Sequence, residues 1–507
     1  MKKNNPIIKS INNSLIEVEG EFDYAQNQFF KINNDTNAFL LDASNKKANL
    51  IISNTNSKIN INTEIETYSF ESIETKESYF GNIIDINGNL LNKEEIKFDS
   101  KEDFSYGQSK IFSTARDIKF REKLNTPLKT GYFGIDLFTP IGRGQRQLII
   151  GDRKTGKTFI SLSSLINNKN EENVKFIYAS IGQKQNSVSE VFSILKKNNC
   201  LSKTIIIHAS PDNSYEQFLL PYVAMAHAEN LEKNNFDVVL VLDDLSKHAN
   251  IYREISLLIN KPVGREAFPG DIFFMHSKLL ERGGNFKNSG SITVLPIIET
   301  NSGDITSLIA SNLISITDGQ IITNAELFNL GIIPAINFSI SVSRTGASVQ
   351  DSRTSKISKE IYKIYNTYLK NKNLTDLNFN ISKTFSKILN QGKNIEKFLI
   401  QKDFDSLYKN SELILISQII KWDILNWSDE NKELINFIFR WFKTNWLSKS
   451  FLDNYMKCEY VDEYIWKEYV IHLFNSYYEF KNINRKLKNE LFFRKISKEM
   501  IKKVLGE

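Results

Sequence analysis

Apolar and polar positions alternate in three different ways along this chain, and each way predicts a different structure. From residue 6 to about 85, short apolar runs are separated by Asn, Asp, Gly and Ser. Leu15-Ile16-Glu17-Val18-Glu19-Gly20, Ala38-Phe39-Leu40-Leu41-Asp42 and Asn60-Ile61-Asn62 are examples. Many short strands at this spacing predict a small all-β barrel or sandwich. Residues 87–119 are less periodic and read as a linker. Between about 120 and 350, strand-like runs at 147–150, 176–179, 204–208, 238–242 and 292–298 alternate with longer helix-like stretches such as 217–231. That alternation predicts an α/β unit with a mostly parallel sheet covered on both faces. Beyond about 351 the strand pattern stops, and 356–369, 413–425 and 433–446 carry apolar residues at helical spacing. The expected division is therefore a β unit over 1–85, an α/β unit over 86–350 and a helical unit over 351–507.

Composition changes this picture little. The chain has 507 residues, 41% hydrophobic and 24% charged, which suits a globular protein with a sizeable core. Its net charge of +6 is the small difference between 65 basic and 59 acidic residues, so charge alone does not call for nucleic acid. Two cysteines, Cys200 and Cys458, make neither a disulfide framework nor a metal cluster, and a reducing compartment is expected. The basic start, Met1 to Asn5, precedes only a short apolar patch, so no signal peptide is expected. No run reaches the ~18 consecutive apolar residues that span a bilayer. The expectation is a soluble protein that meets a membrane only through partners.

The α/β unit carries the chemistry. Gly151-Asp152-Arg153-Lys154-Thr155-Gly156-Lys157-Thr158 follows the apolar run Leu148-Ile149-Ile150 and precedes Phe159-Ile160-Ser161-Leu162. This is a complete G-x-x-x-x-G-K-[ST] pattern in strand-to-helix context. The glycines let backbone amides converge on phosphate oxygens, and the helix N-terminus adds a favourable dipole. Lys157 is expected at the β and γ phosphates of ATP or ADP, and Thr158 at Mg2+. A second element, Val238-Val239-Leu240-Val241-Leu242-Asp243-Asp244, ends a buried strand in two carboxylates. An aspartate after five apolar residues needs a compensating partner, and magnesium supplies one. Asp243 is the expected magnesium-side group, acting through water, with Asp244 a local hydrogen-bond acceptor.

Turnover stays open at this point, because composition places no acidic residue beside the attacking water. Arg344, in Ser341-Val342-Ser343-Arg344-Thr345-Gly346, has the setting of a phosphate clamp, of an arginine finger for a neighbouring subunit, or of a structural ion pair. His208, His227, His248 and His276 lack metal-ligand spacing and read as packing or surface groups.

Together with the P-loop, further motifs resemble the alpha subunit, the non-catalytic nucleotide-binding subunit, of F-type ATP synthases. They include Thr130-Gly131 with Gly134-Ile135-Asp136, Pro140-Ile141-Gly142-Arg143-Gly144-Gln145-Arg146, and Ile181-Gly182-Gln183-Lys184. Asp243-Asp244-Leu245-Ser246-Lys247, Gly264-Arg265-Glu266-Ala267-Phe268-Pro269-Gly270-Asp271, Pro296-Ile297-Ile298-Glu299-Thr300 and Pro334-Ala335-Ile336-Asn337 continue the series. The likeness covers about 125–350 strongly, the N-terminal part weakly and the C-terminal part in outline. It implies a P-loop (RecA-like) core with an N-terminal six-stranded β-barrel and a C-terminal helical bundle. It also implies a chain that alternates with three catalytic beta-like partners around a central gamma-like shaft.

The resemblance also speaks to turnover. Catalytic beta subunits carry their water-activating glutamate where this chain has Gln183, and an amide cannot serve as general base. Arg344 matches the arginine that alpha subunits place in the neighbouring catalytic pocket, there stabilising the transferring phosphoryl group. Pro334 and Gln391 fall on the adenine side. Three departures stand out: Lys154 replaces a usual glutamine, Ile333 replaces an arginine, and Lys393 replaces the second glutamine of the Asn390-Gln391-Gly392-Lys393 segment. They imply looser base recognition with the phosphate grip intact.

Strand-like sequence begins at Ile7-Ile8, without the usual helical stalk-binding extension, and the C-terminal third is divergent and aromatic. These features, with a composition like that of mycoplasma-type copies, favour a complex diverted to another mechanical role such as gliding motility, with stalk or motility proteins as further partners. A conventional proton-translocating synthase is the alternative. The expected place is the cytoplasm, at the inner face of the cell membrane through the assembled complex. A free-standing catalytic ATPase and a hexameric RNA translocase are weaker readings. The latter rests on Phe22, Tyr24, Phe29, Phe30 and Lys31, which read more readily as barrel core, so no direct nucleic-acid contact is expected.

Overall fold

The computed structural model describes residues 5–33, 36–53, 59–92, 103–372, 383–401, 404, 410–425, 431–457 and 460–506. They fall into two compact units, one drawn from 1–130, 141–331 and 335–346 and the other from 131–140, 332–334 and 347–507. Cys458 lies outside the described residues.

In the first unit, six N-terminal strands pair antiparallel: Ile7–Asn12, Leu15–Glu19, Lys47–Ile52, Thr36–Ala43, Phe29–Asn33 and Glu66–Tyr68 in spatial order. Period-two patterning sends alternate side chains to opposite faces. Ile16, Val18, Phe30, Ile32, Ala38, Leu40, Leu50 and Ile52 fill one core, while Leu15, Phe29, Phe39 and Ile51 pack into the main core of the unit. Among the described residues the expected barrel is not closed by a strand pair. Instead Ile7 and Glu64 form an isolated bridge, and Ile65 N donates to Pro6 O at 3.0 Å. Asn60-Ile61-Asn62 is a turn and not a strand, with Asn62 at φ 69°. Asn62 takes the left-handed backbone that a turn requires. The aromatics weighed for RNA contact are core: Phe29 and Phe30 are buried, and Phe22, Tyr24 and Phe30 meet edge to face.

The main sheet runs Val342–Ser343, Gly319–Thr323, Leu148–Asp152, Ser291–Thr300, Asp237–Asp243, Val174–Ile181, Thr204–Ala209 and Ile83–Ile84. All these neighbours are parallel except Val342–Ser343, which is antiparallel to Gly319–Thr323. Continuous apolar runs such as 238–242 suit strands buried on both faces. Helix Ser214–Lys233 is buried almost all round because it is sandwiched between this sheet and the antiparallel pair Ser72–Lys76/Ser105–Lys110. So part of the expected linker is a strand. Its extension supplies Arg116, which holds the buried Glu232 carboxylate at 2.9 Å.

The second unit is helical, and no strand follows Ser343 among the described residues. The unit holds helices Ser352–Asn371, Lys383–Leu399, Asn410–Trp422, Asn431–Thr444, Trp446–Met456 and Glu463–Phe480; the predicted segment 356–369 lies within the first, while 413–425 is helical only as far as Trp422. Asn445 breaks the run predicted to reach Trp446, because its side chain caps the next helix at Ser448 N. Trp441, Trp466, Phe437 and Phe474 form the aromatic core of this unit.

Candidate functional site

The strand Leu148–Asp152 lies between Ser291–Thr300 and Gly319–Thr323, and its carboxyl end opens into a cleft of about 710 Å³. Open α/β sheets bind ligands at such carboxyl ends. Gly151 is required by close approach, since a Cβ there would collide with the hydroxyl and carbonyl of Thr323. Gly156 takes φ 89° and leads into helix Lys157–Ile166 with no side-chain cap. Lys154 also adopts a left-handed backbone, at φ 64°. The backbone N–H groups of residues 153–156 have no intramolecular partner among the described residues. The result is a cradle of amide donors at a helix start, suited to an anion.

The side chains of the loop divide into supports and contacts. Asp152 is a support: its carboxylate accepts from Thr300 Oγ1 at 2.8 Å and Gly303 N at 2.7 Å. Thr155 is another, sharing a hydrogen bond with Thr323 Oγ1 at 2.6 Å. Arg153 and Lys154 are exposed at the cleft. Lys157 is buried, and its ammonium donates to Gly151 O at 2.9 Å and Asp152 O at 2.6 Å. Burial pushes its pKa down, opposed by the carboxylates of Glu299, Asp244 and Asp243.

Asp243 gathers the rest of the site. Its Oδ2 accepts from Thr158 Oγ1 at 2.9 Å and from Tyr178 Oη at 2.5 Å, and its Oδ1 accepts from Gln183 Nε2 at 3.1 Å. Asp244 turns away, joined to Asp243 by a cis peptide, and caps helix Leu245–Leu258 through Lys247 N at 2.8 Å. Burial, followed by the neighbouring Asp243 charge, raises its pKa to about 7. Thr158 and Asp243 are two oxygen donors in contact, the chemistry a magnesium ion uses when phosphate and water fill its remaining positions. Among the described residues no group of three or more His, Cys, Asp or Glu could hold a metal without such help.

Arg344 sits elsewhere. It is exposed, does not line this cleft, and its guanidinium donates to Thr317 O and Ile314 O, both at 3.3 Å, at the end of helix Leu308–Ile316. Its backbone N–H binds Asp318 O at 2.9 Å, while the Asp318 carboxylate is held by Arg146 at 2.8 and 3.0 Å.

Pro334 and Gln391 belong to the other unit. Pro334 follows a cis bond. Gln391 is buried and donates to Ile420 O at 3.1 Å and Lys421 O at 3.0 Å.

Sequence reasoning gave no role to Tyr178 or Glu299, yet both line the cleft. A phenol in an otherwise apolar buried strand needs a partner, which is the signal that could have found Tyr178.

Residues 131–343 match the family model "ATP synthase alpha/beta family, nucleotide-binding domain". The chain is 47% identical over 437 residues to ATP synthase subunit alpha 2 of Mycoplasmopsis pulmonis, covering 86% of this chain and 84% of that protein. The chain belongs to the ATP synthase alpha-subunit family. It is 39% identical to ATP synthase subunit alpha of Wigglesworthia glossinidia brevipalpis, covering 81% and 82% of the two chains. The corresponding protein of Mesoplasma florum is 42% identical, covering 64% and 63%. As an alpha-family chain it has a nucleotide-binding domain, and no helix among its described residues is long and apolar enough to cross a membrane.

Proposed function

We propose that this chain holds ATP or ADP with Mg2+ without hydrolysing it, as the alpha-type subunit of a rotary F-type or F-type-like ATPase. The observation that carries the reading is the Gln183 amide on Asp243. A water-activating base must accept a proton, and this side chain presents an N–H donor to the Asp243 carboxylate. Lys157 and the amide cradle would bind the phosphates, and Thr158 and Asp243 would hold Mg2+, which neutralises phosphate charge when bound. Arg344, exposed and clear of its own cleft, supports an arginine-finger role toward an adjacent catalytic beta-like subunit. Three such partners would alternate with three copies of this chain around a gamma-like shaft, at the inner face of the membrane.

Within this reading, a complex diverted to another mechanical task, such as gliding motility, is favoured over a proton-coupled synthase. Identity is 47% to a protein named alpha 2, against 37–42% to proteins named simply alpha, which supports descent as a second copy. Purification of the complex from its native source, with partners identified and turnover measured, tests both levels. ATP hydrolysis by this chain alone would overturn the non-catalytic role. Recovery with a complete proton channel and a conventional stalk would overturn the diversion.

A further inference from the structure

Residues 481–507 carry nine Lys and Arg against three Glu, a net of +6 that equals the net charge of the whole chain. The same region has an unusual backbone. Between helices Glu463–Phe480 and Lys498–Leu505 the chain runs without helix or strand, and from 482 to 493 burial alternates strictly, even positions exposed and odd positions half-buried. Period two marks an extended segment laid on a surface. Helix Glu463–Phe480 is that surface. Asn475 clasps the Leu487 backbone with bonds of 2.7 and 2.9 Å, Glu468 accepts from Glu490 N at 2.6 Å, and Tyr469 meets Phe493 edge-on at 5.4 Å.

The outward face of this strap presents Asn482, Asn484, Lys486, Lys488, Glu490 and Phe492, followed by exposed Arg494. Phe492 is 99% exposed. The backbone N–H groups of Lys488, Phe492 and Arg494 have no partner among the described residues. Cations two residues apart on an extended backbone lie on one face, at the repeat of alternate side chains in an opposing strand. We propose that the strap is a docking edge for an acidic segment of a partner protein, bound in extended conformation alongside it. A bilayer would need several apolar groups on the outward face, and single-stranded nucleic acid would need several stacking rings. The outward face of the strap offers one aromatic side chain, Phe492, among polar ones.

The test uses the full-length chain and fluorescence anisotropy with a labelled peptide of alternating Glu and Val, about ten residues long and therefore extended. Its probes for comparison are the same peptide N-methylated at alternate residues, vesicles rich in phosphatidylglycerol, and oligo-U RNA. The acidic peptide should bind in a salt-sensitive way. The triple variant K486E/K488E/R494E should bind it at least about tenfold more weakly, since exposed ion pairs are individually weak but add over three sites. Phe492→Ala should weaken it less, and N-methylation should abolish it by blocking the backbone edge. All four positions are exposed, so the variants should keep the wild-type melting temperature. Absence of peptide binding overturns the proposal. So does equal binding by the triple variant or by the methylated peptide, or tighter binding of vesicles or RNA.

Discussion

The side-chain amide of Gln183 donates to Oδ1 of Asp243 at 3.1 Å, so the Asp243 carboxylate is satisfied by neutral donors on both oxygens. Gln183→Glu would replace one donor by a second acid. A half-buried carboxylate in contact with the buried Asp243 resists ionisation of the pair without a cation between them. The variant should therefore melt about 2–4 °C lower than wild type in EDTA, corresponding to roughly 1 kcal/mol in a large domain. The deficit should shrink with Mg-ATP present. Scanning fluorimetry in both buffers checks this, and an equal shift in the two would contradict the arrangement.

Lys157 is held in the loop by Gly151 O and Asp152 O, beside the unpartnered amides of residues 153–156. Its ammonium is the one buried cation of the cradle. A charge-assisted hydrogen bond contributes about 1.5–3 kcal/mol, so Lys157→Ala should weaken ADP binding by at least about tenfold. Titration calorimetry on the full-length chain reads this directly. Unchanged affinity would remove Lys157 from the phosphate site.

Much of this site was legible because its chemistry is local. The P-loop needs glycine at close approaches and a lysine at a fixed offset, and both are contiguous in sequence; Gly151 against Thr323 shows the constraint in space. Asp243 stood out as an acid after five apolar residues. The parts that were not legible depend on strand order. Tyr178 meets Asp243 only because strands Val174–Ile181 and Asp237–Asp243 are neighbours, with Ser180 in register with Asp243. Likewise the Arg146–Asp318–Arg344 chain joins three distant segments. The 105–110 strand carries no local signal, because Ser105-Tyr106-Gly107-Gln108-Ser109-Lys110 has little apolar alternation and pairs with the sequence-distant strand Ser72–Lys76.

Arg344 lies at the end of helix Leu308–Ile316, where a cation is favoured by the helix dipole. Two long bonds of 3.3 Å to carbonyls leave it free to be redirected at little cost. In the assembled complex Arg344→Ala should cut ATP turnover by about 10³-fold or more, as removal of an arginine finger does. Nucleotide binding by this chain should stay unchanged, because the side chain does not line its cleft. Steady-state hydrolysis and nucleotide occupancy measured on one preparation separate the two effects. Near-normal turnover would refute the assignment.

His248 Nδ1 and His276 Nε2 lie 3.2 Å apart, and both rings are fully buried. Burial lowers the pKa of His248 to about 4 and that of His276 to about 3, the second also opposed by the first. The unfolded state then binds more protons than the folded state between about pH 6.5 and these values, so stability falls as pH drops through that window. Asp244 and Glu216, both raised to about 7 mainly by burial, act in the opposite direction over part of the range. Comparison with His276→Gln, which keeps a hydrogen-bonding side chain, isolates the histidine contribution. Urea denaturation at pH 7.5, 6 and 5 should show wild type losing stability faster than the variant, by up to about 1.4 kcal/mol per pH unit for one proton. Parallel curves would mean that the pair titrates normally.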